Sequence, residues 1–377
     1  MFVSVVMPCL NEHETLGICI RKAHRALEQL GLDGEIIVAD NGSTDDSVAI
    51  ARSLGARVVE EPRKGYGYAY RAGIAAARGE YVIIGDSDDS YDFGDIGRFV
   101  DKLNEGFELV MGTRFHGAIE KGAMPWLHRY IGNPVLTGIL NLFFRSGVSD
   151  AHCGMRGFTK SAYQRMELQT TGMEFASEMV IKAALRRMKI AEIPITLHQD
   201  GRSRAPHLRS FRDGWRHLRF MLLHSPTYLY FWPGALMYFG GFAAMLLLLL
   251  APNRVFGSVV DLDLMILGSM FAILGYQTIL LGLYARIYAV THNFLPQSRL
   301  LNRMFKFFNL ERGLAAGAIV FLSGFGIGIY LVLKWLRHDF NHPEHLRPAL
   351  FASTLIIIGS QTIFSSFFLS MLGIERK

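Results

Sequence analysis

The sequence predicts an α/β protein built on a doubly wound, mostly parallel sheet and followed by an α-helical transmembrane domain. Three observations carry this. Short β-branched runs alternate with helix-period segments through the first two hundred or so residues. Charge then thins out: the first 224 residues hold 28 Lys/Arg and 27 Asp/Glu, and the 153 from Ser225 onward hold 11 and 6. Four uncharged stretches in that second part each contain the roughly 20 apolar residues that cross a bilayer. At 50% hydrophobic against 19% charged residues, with mean hydropathy +0.23 over 377 residues, the composition excludes a wholly soluble enzyme and a disordered chain. We place a water-soluble domain at 1-205, an amphipathic helix at 206-224 and a membrane domain at 225-377.

Taken in order, Val3 to Met7 reads as a buried first strand, because the apolar opening is short, lacks a basic start and stops at Asn11-Glu12. Leu16, Ile20, Ala23, Leu27 and Leu30 then recur at helical spacing, with Asn11 and Glu14 as a capping box. Glu35 to Ala39 is a second strand, ending in Asp40-Asn41-Gly42, after which Ser43 or Thr44 caps a helix through Leu54. A third strand at Arg57 to Glu60, a helix at Tyr68 to Ala77 and a fourth strand at Tyr81 to Ile84 follow, the last running into Asp86-Ser87-Asp88. A strand at Glu108 to Gly112, an amphipathic helix from Trp126 to Arg145, a polar loop at Ser149 to Gly157, a helix near Glu174 to Met188 and a strand at Ile190 to Leu197 complete the domain. In such sheets ligands bind beyond the carboxyl ends of the strands. Those ends carry Asn11, Glu12, Asp40, Asp86 and Asp88.

Leu208, Phe211, Trp215, Leu218 and Leu222 form one helical stripe beside Arg209, Arg212, Arg216 and Arg219, the pattern of a helix lying in the membrane surface. A helix packed on the soluble domain with a solvated basic face is the alternative. Spans are expected at about 227-250, 264-287, 313-335 and 349-372. Arg299, Arg303, Lys306 and Arg312 lie between spans two and three, and Arg376-Lys377 at the end, against Arg254 alone between spans one and two. The N-terminal domain and the C-terminus are therefore expected on the cytoplasmic side, in a bacterial inner membrane. Gly268, Gly275 and Gly282 share a face, and Gly324 and Gly328 form a GxxxG, so close packing of the spans is expected. Cys9, Cys19 and Cys153 offer no CxxC and no even pairing, and read as reduced, buried thiols.

A single Asp-x-Asp is weak evidence; the order of motifs is stronger. Pro8-x-x-Asn11-Glu12 follows strand one, Asp40-Asn-Gly-Ser-Thr-Asp45 strand two, Gly65-x-Gly67 opens a helix, and Asp86-Ser-Asp88 follows strand four. This arrangement resembles the glycosyltransferase family 2 domain of the GT-A fold. Gly112-Thr-Arg114, Trp126-x-x-Arg129, Val148-Ser-Asp150-x-x-x-Gly154-x-Arg156 and Gly201-Arg202-Ser203-Arg204 resemble the polyprenyl-phosphate glycosyltransferases, relatives of dolichyl-phosphate mannose and glucose synthases. The resemblance covers roughly residues 3 to 220.

It implies an inverting transfer of one hexose from a nucleotide sugar to a membrane polyprenyl phosphate, with UDP-glucose the first expectation for the donor and GDP-mannose the second. A departing diphosphate calls for a hard divalent cation, and Asp86 and Asp88 suit Mg²⁺ or Mn²⁺. The family pattern gives Pro8, Asn11, Glu12 and Asp40 to the nucleotide sugar together with Asp86. Gly67 either lets backbone approach the nucleotide or simply opens a helix. The acceptor phosphate is already ionised at pH 7, so it needs guanidinium forks more than a base. Arg114, Arg129 and Arg202 are the candidates, with Arg204 competing with Arg202. Asp150 is a base, an orienter of the arginines or a turn former; Glu178 is a further acid candidate. His152, His198 and His207 have no metal-ligand spacing and read as surface or cap histidines. The catalytic set expected is Asp88, Asp150 and Arg129. No nucleic acid is an expected partner, while a homo-oligomer is admitted. Two rivals predict features of their own. A polysaccharide synthase of the same fold carries Gln-x-x-Arg-Trp, which this sequence lacks. A transporter with a nucleotide-sensing domain puts ionisable residues at mid-bilayer, whereas Arg286 and Lys334, the charged residues inside the expected spans, both lie near span ends.

Overall fold

In the computed structural model, residues 2-203, 210-250, 261-291, 310-337 and 346-374 are described. The chain divides into two units, Met1–Met221 and Leu222–Lys377. The first is built on a seven-stranded sheet of order β3-β2-β1-β4-β6-β5-β7. Its strands are β1 (Phe2–Cys9), β2 (Asp33–Asp40), β3 (Arg57–Glu60), β4 (Tyr81–Ile84), β5 (Leu109–Ile119), β6 (Arg156–Thr159) and β7 (Ile190–Leu197). β1 to β4 run parallel, as does β5 with β7, while β6 is antiparallel to both β4 and β5. The sheet is thus mixed, GT-A-like, with one reversed strand at its centre.

Alternation along the strands fills both faces. Val3, Val5 and Met7 of β1 enter one core with Ile20, Phe93 and Phe99, whereas Val6 enters the other with Ile74, Phe158 and Phe175. The helices covering these faces are α1 (Leu16–Gln29), α2 (Ser47–Ser53), α3 (Tyr66–Ala76), α4 (Ile96–Asn104), α5 (Asn133–Phe144), α6 (Lys160–Met166) and α7 (Phe175–Leu185).

Several expectations are corrected. The Asn11/Glu14 capping box does not form: Thr15 occupies the N-cap of α1 without a side-chain bond to the helix amides, and Asn11 sits at φ +59° with its side chain turned to Thr44. Ser43 and Thr44 do not cap α2, whose N-cap is Asp46. The loop expected over Ser149 to Gly157 ends in β6, and α4 and α6 were not anticipated. The helix expected from Trp126 does start there, but it passes through a π-helical turn, His128–Gly132, before continuing as α5 from Asn133. Pro134, which has no N–H to donate, stands just beyond that turn.

α8 (Ser210–Leu223) buries Asp213, His217 and Met221, while Phe211 and Trp215 are exposed. One face thus packs on the domain, while Phe211 and Trp215 of the apolar stripe remain open. Leu208 and Arg209 lie outside the described residues.

The second unit contains α9 (Trp232–Leu250), preceded by a π-helical turn at Thr227–Phe231, then α10 (Asp261–Thr291), α11 (Leu310–Arg337) and α12 (Leu346–Ile374). Among the described residues, four helices are long and apolar enough to cross a membrane: Thr227–Leu250, Leu262–Thr291, Leu310–Arg337 and Leu346–Leu372. Glycines bring them together. A Cβ on Gly241 would stand 2.5 Å from the Gly268 carbonyl, and one on Gly324 2.7 Å from that of Ala352. Gly328 faces open space, so Gly324/Gly328 is not a joint packing face. Most of the loop residues whose charges set the expected orientation lie outside the described residues.

Candidate active site

The ends of β1, β2 and β4 are tied to one another by polar bonds. Thr15 Oγ1 donates to the Ser87 carbonyl (2.7 Å), Ser87 Oγ to that of Pro8 (2.6 Å), and the Glu12 amide to Ser47 Oγ (2.8 Å). Asn11 Oδ1 accepts from the Thr44 amide at 2.7 Å. Asp40 is buried and turns its carboxylate onto the amides of Gly42 (3.0 Å) and Ser43 (3.2 Å). These bonds satisfy loop backbone that strand geometry leaves orphaned, and they fix the positions of Pro8, Asn11, Glu12 and Asp40.

Beyond β4, Asp86 Oδ1 accepts from the hydroxyls of Tyr66 (3.0 Å) and Tyr70 (3.2 Å), which are one turn apart on α3. Its other oxygen lies against Gly154, where a Cβ would stand 2.5 Å from it. Burial, followed by the nearby Asp88 carboxylate, pushes Asp86 up to about 6. Two hard-oxygen groups crowded in this way are what a divalent cation relieves. Although the described residues contain no cluster of three or more ligating side chains, Mg²⁺-type sites commonly use one or two carboxylates and take the rest from phosphates and water. The donor set therefore fits Mg²⁺ or Mn²⁺. Asp88 Oδ1 accepts from Ser90, and Oδ2 pairs with Arg202 Nη2 at 2.8 Å.

Arg202 is bound by three carboxylates: besides Asp88, it meets Asp200 at 2.9 Å and Glu12 at 3.3 Å, and its Nε is buried without a partner. Arg114 is similarly occupied. Its Nε and Nη2 each reach Asp150 at 2.7 Å, in a pair whose side chains are 9% and 0% exposed. Both oxygens of Asp150 are thus taken up by Arg114. Arg129 differs: among the described residues it has no ion-pair partner, and its guanidinium lies 5.5 Å from the Tyr130 ring. Around it Trp126, Tyr130 and Ile131 are exposed. Arg204 and His207 lie outside the described residues.

The nucleotide role expected for Gly67 is corrected. Its amide donates to the Thr171 carbonyl (3.0 Å), and a Cβ would stand 2.6 Å from the Thr170 carbonyl, so other backbone already fills the approach. Gly65, at φ +152°, supplies the bend that no β-carbon-bearing residue takes easily. Glu178 holds the 169-170 backbone through three amide and hydroxyl donors and pairs with Lys182 at 2.8 Å, which makes it structural.

The sequence motifs give no role to Tyr66, Tyr70 or Arg156. Arg156 is fully buried and donates to the carbonyls of Cys153, Ala176 and Ala151. The spacing of two tyrosines four apart at a helix start could have pointed to the first pair; nothing local pointed to the arginine's carbonyl partners. Burial pushes Cys9 up to about 11 and Cys153 up to about 12, leaving protonated, inert thiols.

His152 is not a surface residue of the expected kind. Its ring packs on His217 of α8 (centroids 4.7 Å apart), and Ser177 Oγ lies 2.8 Å from His217 Nδ1. Burial holds His217 down to about 4, with Asp213 opposing. The folded-state value is thus below the unfolded one near 6.5. The neutral ring's contribution is complete above that value and is lost as pH falls toward 4. Thermal unfolding of His217→Asn is expected to lose less stability between pH 6.5 and 4 than that of the unaltered chain, by a few kcal/mol at most. Equal slopes would mean that this ring is solvated.

Comparison with known proteins finds relatives for both parts of the chain. The family model for glycosyl transferase family 2 matches residues 4-166, and that for the glycosyltransferase family 2 C-terminal transmembrane region matches 283-373. The low-salt glycan biosynthesis hexosyltransferase Agl6 of Haloferax volcanii is 38% identical over 98% of this chain and 89% of its own. A dolichyl-phosphate hexose transferase of the same organism is 33% identical over 51% of this chain and 81% of its own. Glucosyl-3-phosphoglycerate synthase of Mycobacterium tuberculosis, solved with Mn²⁺, UDP and glucosyl-3-phosphoglycerate, is 24% identical, with TM-score 0.46 over 59% of this chain and 77% of that one.

Proposed function

The chain belongs to glycosyltransferase family 2, and from that premise we propose that it moves one hexose from a nucleotide sugar to a polyprenyl phosphate at the cytoplasmic membrane face. The observation that carries the reading is the presence, in one chain, of the Asp86/Asp88 carboxylate pair at a strand end and, among the described residues, four helices long and apolar enough to cross a membrane. A polyprenyl chain gains about 0.8 kcal/mol for each CH₂ buried in lipid, so the acceptor stays in the bilayer and the enzyme must come to it. The names of the two Haloferax relatives support hexose as the group transferred and a lipid phosphate as its acceptor. UDP-glucose is the donor we put first and GDP-mannose second.

In this reading Pro8, Asn11, Glu12 and Asp40 hold the base and ribose, and Asp86 and Asp88 would hold Mg²⁺ or Mn²⁺. The ion's chemistry is to neutralise charge on the departing diphosphate. Asp86 can be a rigid ligand because Tyr66 and Tyr70 fix its Oδ1. Arg129, open beside exposed Trp126 and Tyr130, orients the acceptor phosphate. A phosphate oxygen attacks the anomeric carbon, the bond to the nucleoside diphosphate breaks, and the configuration inverts. The Arg114–Asp150 pair frames the site rather than gripping the lipid. Arg202 must give up at least one carboxylate to reach a phosphate.

The direct test is whether the purified chain releases nucleoside diphosphate from a sugar nucleotide only when polyprenyl phosphate is added. Release without lipid acceptor would refute the reading. For Arg129→Ala we expect a tenfold to hundredfold loss of transfer, since a charge-assisted hydrogen bond contributes roughly 1.5–3 kcal/mol, with donor affinity by calorimetry unchanged. Weakened donor binding would move Arg129 to the diphosphate. For the orientation, thiols introduced at Ser258 and His342 should react with an impermeant reagent from outside, and one at Gln297 should not.

A further inference from the structure

Arg286 is the sole charged residue between Asp263 and the end of α10 at Thr291, and it stands five residues before that end, about 7–8 Å in at 1.5 Å per residue. A neighbouring helix holds it. Its Nη1 donates to Oγ1 of Thr227, the first residue of the preceding span, at 2.8 Å. Gly282, one turn earlier, allows this approach: a Cβ there would stand 2.7 Å from that of Tyr230, so a larger residue would lift the π-helical turn off α10. A charge inside a membrane helix is ordinarily paired. Among the described residues Arg286 has no carboxylate partner, and Asp261 and Asp263 lie at the far end of α10, about 35 Å away or more.

We propose that Arg286 and Thr227 hold the phosphate of a membrane lipid. The bond to Thr227 occupies one guanidinium N–H and leaves the Nε/Nη2 edge, whose two parallel donors match two oxygens of a phosphate. Because Thr227 Oγ1 accepts from Arg286, its own hydrogen is left to donate. The notch therefore presents donors and a positive charge, which an anion rich in acceptor oxygens completes. These donors are open: no nitrogen of Arg286 is an enclosed atom without a partner, so a ligand reaches them from outside the helices. The clasp also separates this residue from a guanidinium that snorkels freely into water, since Thr227 fixes the direction its fork faces. At the rim of a bilayer the anions at this depth are lipid phosphates, whether the diester of a phospholipid or the monoester of a polyprenyl phosphate. Both offer the same kind of oxygen. The site belongs to the second unit, so it stands whether or not Arg129 of the first grips the acceptor.

The test uses the full chain in detergent, by native mass spectrometry against phosphatidylglycerol and against diacylglycerol, which has the same chains and no phosphate. The unaltered chain should hold phosphatidylglycerol saturably, and Arg286→Gln should weaken it on the order of tenfold, as loss of a charge-assisted fork implies. Removing a charge from a span eases insertion, so this variant should fold. Diacylglycerol should bind both chains alike. Arg286→Lys should recover part of the affinity, since the charge returns without the planar fork. Thr227→Val keeps the charge and the shape but removes the hydroxyl, and should lose several-fold. Phosphatidylglycerol should also raise the Tm of the unaltered chain more than that of Arg286→Gln. Displacement of the bound phospholipid by a short polyprenyl phosphate would identify the monoester as the preferred occupant, and its retention the diester. Equal phosphatidylglycerol affinity in the unaltered chain and in Arg286→Gln, or an equal loss of diacylglycerol, would overturn the proposal.

Discussion

Asp88→Asn is expected to lower transfer by about a hundredfold to ten-thousandfold, the equivalent of several kcal/mol of lost charge neutralisation at the leaving diphosphate. Asp86→Asn should do the same. The amide keeps the shape and can still accept from Ser90 at position 88, or from Tyr66 and Tyr70 at position 86, so the fold should persist. Asp89 makes a useful control, because Lys22 already holds its carboxylate at 2.8 Å. The accompanying measurement is Mn²⁺ binding by paramagnetic resonance in the presence of nucleoside diphosphate, which should weaken in both variants. Unimpaired Mn²⁺ binding by Asp88→Asn would remove this residue from the metal site. Arg202 adds a second expectation. It shares Asp88 with the proposed cation, so Arg202→Ala should bind Mn²⁺ more tightly even while acceptor turnover falls.

The outline of this site was readable from sequence because its parts sit where strands end. β3, β4 and β7 have the expected bounds, each being an apolar or β-branched run closed by turn residues, and the site carboxylates Glu12, Asp40 and Asp86 stand at the ends of β1, β2 and β4. What stayed hidden depends on partners distant in the chain. β6 has only four residues, begins with a buried arginine and runs antiparallel, so no alternation marks it. Arg114 and Asp150 were both singled out, but their pairing spans 36 positions, and nothing in either neighbourhood says that one consumes the other. The Gly65/Gly67 turn illustrates the opposite error. Its spacing suits a phosphate-approach loop, yet Thr170 and Thr171 occupy that approach.

The pair itself supplies the second large effect. Asp150→Ala should destabilise the first unit by about 3–5 kcal/mol, because it leaves the Arg114 guanidinium buried without its counter-charge. For a unit of this size that corresponds to roughly 6–20 °C in Tm, readable by tryptophan fluorescence on the full chain in detergent. Removing both charges, as in Arg114→Met/Asp150→Leu, should cost less than Asp150→Ala alone, since no charge is then stranded. Catalysis separates the frame from a base. An acceptor phosphate ionised at pH 7 offers no proton to remove, so Asp150→Asn, which can still accept from Nε, should retain much of its kcat where it remains folded. The pH profile of that variant should be unshifted. A folded Asp150→Asn protein with transfer lost and Tm unchanged would make Asp150 a catalytic group, and the Arg114 contact an arrangement that opens when substrate binds.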